Sequence, residues 1–220
     1  MEFERKKRPS GSGSASASAS RPEQPLPPPG TVAERILSTA DELFYREGVR
    51  AVGIQRVIEE AGIAKASLYA HYASKDHLVA ACMERRAQTS RAAIAAALDA
   101  APDNPRAKLL ALFDFQREAV IDPGFHGCPV QKTHAELHDP EHPAKKITAI
   151  HRQWLLDLLR RLVKEAGLTS PAYVAGALLV LFDGAIATTM VDRDPNASRY
   201  ARLAAEQIID AHLPKPFGRS

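Results

Sequence analysis

The sequence predicts an all-α protein, and three features carry that prediction. Apolar residues recur at helical spacing in successive segments from Thr31 to Leu213, with no strand-like alternation of any length between them. Prolines stand where segments begin (Pro105, Pro143, Pro171, Pro195) and glycines where they break (Gly48, Gly124, Gly127, Gly167), the asymmetry that helix ends impose. Residues 61–75, AGIAKASLYAHYASK, read as the turn and second helix of a helix-turn-helix, followed by a capped further helix.

Composition bounds the rest. A chain of 220 residues, 45% apolar and 25% charged, can bury one or two cores and should fold as a small two-part molecule. Its formal charge of +3 is too small to announce a nucleic-acid partner, so placement of charge matters more than its total. Residues 31–86 hold eight basic and eight acidic side chains, which leaves that stretch positive only locally, across Lys65, His71 and Lys75. Two cysteines, Cys82 and Cys128, with no apolar secretory segment, point to a reducing cytoplasm rather than a disulfide framework. The longest apolar run, Ala172 to Val191, is interrupted by Asp183 and two glycines, which favours a buried helix over a membrane span.

Taken in order, residues 1–30 combine Arg5-Lys6-Lys7-Arg8, a Gly/Ser/Ala run and Pro25 to Pro29. Such a stretch buries too little surface to offset its ordering entropy and is expected to be a disordered tail, either passive or a basic arm. A first domain is expected over 31–78. Thr31 with Glu34 makes a T-x-x-E capping box, and Val32, Ile36, Leu37, Ala40, Leu43 and Phe44 form the buried stripe of a helix that Gly48 ends. Ile54, Val57 and Ile58 mark a short second helix. At Ala61-Gly62, a small residue allows a close crossing and a glycine can take φ > 0. Ser74 then caps a long fourth helix to about Ala100, with Asp76 in its first turn. A second, helical domain over 79–214 continues with Pro105 to Ile121, about Val130 to Leu137, Pro143 to Ala166, Pro171 to Val191, and Pro195 to Leu213.

In the third helix, Ile63, Leu68 and Tyr72 make an apolar seam and turn Lys65, Ala66, Ser67, Ala70 and His71 elsewhere. That outward set holds an amine, a hydroxyl, an imidazole and small methyls but no carboxylate, the composition a helix needs in the major groove of DNA. Gln55 and Arg56, near the start of the second helix, could meet the DNA backbone.

The segment from Thr31 to about Leu78 resembles the DNA-binding domain of the TetR family of bacterial regulators. The matching residues are Gly48, the Ala61-Gly62 turn, Leu68-Tyr69-Ala70-His71-Tyr72 and Lys75. The sequence departs from the family pattern at Gly53, usually Thr or Ser, and at Ala64, Ala66 and Tyr72, often Ser, Gly and Phe. Gly53 still offers a backbone N–H to a phosphate but no hydroxyl. The resemblance implies a three-helix helix-turn-helix DNA-binding domain plus a helical ligand-binding and dimerisation domain. It implies base-edge contacts from Lys65, Ala66 and Ala70, and phosphate contacts from Ser67, Tyr69, His71 and Lys75.

A helix apolar nearly all round from Ala175 to Ile186 is most easily covered by pairing with a second copy, so the last two helices are assigned to a homodimer interface. Phe113, Trp154 and Phe182, with Gln116, Cys128, His134 and Asp183, are candidates to line a mostly apolar ligand pocket. The expected function is a ligand-responsive regulator, a repressor that binds a palindromic operator and is released by a small-molecule effector. No cofactor is called for and no membrane partner. Three rival readings remain at this level. In the first, the stretch His126 to His142 senses metal or thiol chemistry, because His134 and His138, four apart, would share a helix face with Cys128 nearby. In the second, it serves a metal-dependent enzyme, although its HAELH order is not that of a zincin and no nucleophile-base-orienter set accompanies it. In the third, a helix-turn-helix without DNA binding serves as an interaction module, motivated by Gly53 alone.

Overall fold

A computed structural model describes residues 25–214, and among these there are nine helices and no strand. The tail expectation falls mainly on residues 1–24, outside the described residues. Residues 25–30 lead without helix into α1 (Val32–Glu47). There follow α2 (Ile54–Ala61), α3 (Lys65–His71), α4 (Lys75–Ala100), α5 (Pro105–Ile121), α6 (Pro129–Glu136), α7 (Pro143–Glu165), α8 (Pro171–Asp192) and α9 (Asn196–Ala211).

Local chemistry sets most of these limits. Thr31 Oγ1 accepts the Glu34 N–H at 3.2 Å, yet the return half of the expected capping box is missing. The Thr31 N–H already donates to Pro28 O, and the Glu34 carboxylate instead takes Ser38 Oγ–H and lies 3.6 Å from Arg85 Nη1, a charged partner that a cap N–H does not outbid. Gly62 holds φ 61°, ψ 45°, the left-handed conformation that the tight α2–α3 turn requires. Ser74 caps α4 by accepting the His77 N–H, and Asn104 caps α5 in the same way through Ala107 N–H. Prolines open α5, α6, α7 and α8 at the first turn, whereas Pro195 is the residue before α9.

Two buried clusters form. One gathers Ile36, Leu37, Phe44, Val57, Leu68, Leu78, Val79 and Cys82, and the start of α7 closes it with Ala144 and Ile147. The other is built on Leu112, Phe113, Leu159, Leu178, Ala205 and Ile209. The unbroken helix α4 enters both, through Leu78 to Met83 at one end and Ile94 at the other. It is therefore a rod shared by the three-helix head and the helical body.

Helix α8 is long and apolar enough to cross a membrane, but here it packs into the body through Val174, Ala175, Leu178, Phe182 and Ile186. Its other side shows Tyr173, Val180 and Val191 at 62, 69 and 74% exposure, and α9 exposes Tyr200 and Leu203 as well. An apolar face of this extent is left without cover among the described residues.

Candidate functional site

Two side chains anchor the third helix. Leu68 is fully buried, and Tyr72, just after the helix, donates its hydroxyl to Ala33 O at 3.1 Å. Burial pushes the Tyr72 phenol up to about 12, so it stays a neutral donor that ties α3 to the start of α1. With Leu68 turned inward, Lys65, Ala66, Tyr69, Ala70 and His71 are exposed together and Ser67 is half-buried. No carboxylate belongs to α3.

The flanking candidates are placed less freely. Gly53 precedes α2 in extended conformation with no side-chain cap, as its missing hydroxyl dictates. Gln55 donates to Glu59 at 3.0 Å, and Arg56 is forked onto Glu47 at 2.7 and 2.9 Å and reaches Glu60 at 2.8 Å. Both are exposed but occupied, so contact with a phosphate would require them to exchange partners. Lys75 lays its stem on the head, with the ammonium 5.9 Å from the Phe44 ring centroid, and burial pulls its pKa down.

Head and body are stitched along α4. Asp41, on α1, is 9% exposed, accepts from Arg86 Nε at 2.8 Å and is ion-paired with Arg85 Nη2 at 3.2 Å. Arg85 also donates to Leu37 O and Ser38 Oγ. Any displacement of α4 must carry α1 with it.

A cavity of about 440 Å³ lies in the body, walled by α4, α5, α7, α8, the α5–α6 loop and the start of α6. Of the seven predicted ligand residues, Gln116, Cys128, Phe182 and Asp183 line it. Phe113 is fully buried in the core behind Phe182, their rings meeting edge to face at 6.0 Å. Trp154 stands behind His151, stacked on it at 5.8 Å. His134 is turned to Thr148, its Nδ1 2.7 Å from the hydroxyl. Burial keeps the Cys128 thiol up, hence protonated and unreactive at neutral pH.

Sequence reasoning missed Tyr45, Arg86, Ser90, His151 and Arg152 in this wall. Tyr45 matters most, because it belongs to α1 and brings the head into the cavity. Its hydroxyl donates to Gly127 O at 3.1 Å and accepts the His126 N–H at 2.8 Å, while Arg86 lies 4.5 Å from its ring centroid. Burial raises its phenol pKa. A second link joins the end of α6 to the α1–α2 turn, where Glu136 accepts the Arg50 N–H at 3.1 Å and Arg50 Nη1 meets His138 Nε2 at 3.2 Å.

The shared face expected of His134 and His138 is not formed. Helix α6 ends at Glu136, so His138 lies past it and faces Arg50 while His134 faces Thr148. Among the described residues, no three His, Cys, Asp or Glu side chains converge on a metal position.

Residues 36–82 match the family described as bacterial regulatory proteins, tetR family. The fold is similar to a solved TetR-family transcriptional regulator from Streptomyces coelicolor, with TM-score 0.78 and 30% identity over 83% of this chain and 96% of that one. The HTH-type transcriptional regulator LmrA of Bacillus subtilis is 25% identical over 162 residues, 69% of this chain and 86% of LmrA. The HTH-type transcriptional activator FasR of Mycolicibacterium smegmatis is 33% identical over 84 residues, which span 37% of this chain and 38% of that activator.

Proposed function

The chain belongs to the TetR family of transcriptional regulators, and on that premise we propose that it is a homodimeric repressor, acting in the cytoplasm, that a small molecule in the body cavity releases from a palindromic operator. Each α3 enters a major groove, with half-sites about one turn, roughly 34–36 Å, apart or somewhat more. The uncovered apolar face of α8 and α9 supports pairing of two copies, since α8 alone exposes Tyr173, Val180 and Val191. What carries the regulatory reading is Tyr45: a residue of the head that is also wall of the cavity.

The mechanism is a population shift. A molecule that fits the cavity better when the α5–α6 loop has moved draws on Tyr45 and Arg86, and through Asp41 turns α1 and α4 together. Operator affinity then falls by the differential affinity of that molecule for the two arrangements and no further.

Pull-down of genomic fragments with the purified chain, followed by sequencing, tests the first half. A regulator enriches one short palindrome; an enrichment without symmetry, or none, defeats the reading. On the palindrome so found, Lys75→Ala should weaken binding to all DNA alike and flatten the salt slope by about one unit, whereas Lys65→Ala should change base preference. Unchanged salt slopes in gel-shift titrations of Lys75→Ala would remove it from the phosphate contacts.

Tyr45→Phe tests the coupling. It deletes both hydroxyl hydrogen bonds to the loop at residues 126–127 and keeps the ring. Operator affinity without effector should stay within about twofold, while the loss of affinity caused by effector should shrink about fivefold, the worth of roughly 1 kcal/mol. Full induction of this variant would place the coupling elsewhere. A reporter under the selected operator fixes the sign: transcription that falls on deletion of the regulator would make it an activator.

A further inference from the structure

The longest run of like charge in the chain, Arg5-Lys6-Lys7-Arg8, belongs to neither the head nor the body. Residues 1–30 hold five basic and three acidic side chains, Glu2 and Glu4 among the latter, whereas residues 31–220 hold twenty-four and twenty-three. Most of the formal charge of +3 therefore lies ahead of α1. The head is balanced by comparison, and much of its positive charge is engaged. Arg46 pairs with Glu42, Arg56 with Glu47 and Glu60, and Arg85 and Arg86 with Asp41. Lys65 and Arg35 are exposed without an acidic partner among the described residues. A duplex seated on α3 presents a dense row of phosphates, and this head has few cations free to meet them.

The path of the chain into α1 brings the basic run to the side of the head where α3 lies. Tyr72, just after α3, donates to Ala33 O at the start of α1, so these two ends are neighbours. Pro28 O accepts the Thr31 N–H at 3.4 Å and the Thr31 hydroxyl at 2.8 Å, which fixes the turn ahead of α1. Pro25, Leu26 and Pro27 then line one cleft of about 220 Å³ with Leu37, His71 and Tyr72. The prolines, with φ fixed by their rings, stiffen this seat. His71 belongs to the outward set of α3, so whatever precedes Pro25 starts beside the reading helix. Seventeen residue steps separate Arg8 from Pro25. At full extension they span at most about 60 Å, nearly two turns of duplex at roughly 34–36 Å each.

We propose that Arg5-Lys6-Lys7-Arg8 is a second contact with double-stranded DNA: with α3 in the major groove, the seat at residues 25–27 starts the upstream chain at the duplex surface, and the four cations engage its phosphates. The proposal rests on α3 being the reading helix, and it adds residues outside the helix-turn-helix to the same interface. Its contribution is to affinity and not to base choice, because phosphates are alike along the duplex.

Fluorescence anisotropy titrations between 50 and 200 mM salt test it, on the selected palindrome and on a scrambled duplex of equal length. They compare the full chain with a variant carrying Arg5→Gln, Lys6→Gln, Lys7→Gln and Arg8→Gln together. The variant's salt slope should be shallower by about three units on both duplexes, so that the wild-type advantage at 50 mM shrinks roughly sixtyfold by 200 mM. Its preference for the palindrome should stay within about twofold of wild type. Pro25→Gly, Leu26→Gly and Pro27→Gly together should keep the slope and weaken binding about threefold, by removing the seat that holds the cations near the duplex. Parallel slopes for wild type and the glutamine variant overturn the proposal, and if the glutamine variant also loses binding to phosphatidylglycerol vesicles that wild type holds, the cations belong to a lipid surface. Unchanged affinity of the glycine variant overturns the seat. If wild type binds both duplexes equally yet keeps a steeper slope than the glutamine variant, the basic run still contacts DNA and the operator reading fails.

Discussion

Asp41→Ala is expected to lower the melting temperature by roughly 6–12 °C, corresponding to a loss of about 3 kcal/mol in a chain of this size. The carboxylate is shared by Arg85 and Arg86, whose side chains are 19 and 29% exposed, so its removal leaves two guanidiniums without their acceptor in a site that water enters poorly. Arg85 retains Leu37 O and Ser38 Oγ, which limits the damage on its side. Arg86 retains the face of Tyr45. Asp41→Asn keeps the shape and one acceptor oxygen and should cost about half as much. Because this carboxylate joins α1 to α4, the alanine variant should also respond less to effector at temperatures where it is still folded. A melting temperature within about 2 °C of wild type in calorimetry would show that the head is not held to the rod through this residue.

Where the structure follows the sequence and where it departs from it has a physical pattern. Turns, caps and the reading helix are set by residues within one or two turns of each other: Gly62 by its backbone, Ser74 and Thr31 by a hydroxyl three residues from its donor, and Leu68 by its place in the α3 seam. Those are legible because nothing distant is needed. The cavity is only half legible. Phe113 and Gln116 lie one turn apart on α5, and periodicity cannot say that Phe113 goes to the core and Gln116 to the wall, since packing of α7 and α8 decides it. Tyr45 stands outside the apolar stripe that ends at Phe44, and its two partners are more than eighty residues away. His134 and His138 were related by counting along a helix that stops between them. Each failure involves a group whose environment is made by another element.

His151 carries the last consequence. Burial, with the charge of Arg91 as a lesser cause, lowers its pKa from the ordinary 6.5 to about 4, so the folded chain holds it neutral. The unfolded chain takes up a proton near pH 6.5, and the folded one cannot until about pH 4. The unfolded state therefore binds more protons between those values, and stability must fall as the pH drops through that window. At 1.36 kcal/mol per pH unit the loss approaches about 3 kcal/mol by pH 4, complete only when the folded imidazole itself titrates. His151→Leu should flatten the dependence between pH 6.5 and 4.5, above the region where ion-paired carboxylates such as Asp210, held low by Arg106, begin to lose their charge. Denaturant midpoints measured at half-unit intervals decide the matter: parallel curves for wild type and His151→Leu would mean that the imidazole is hydrated in the folded chain.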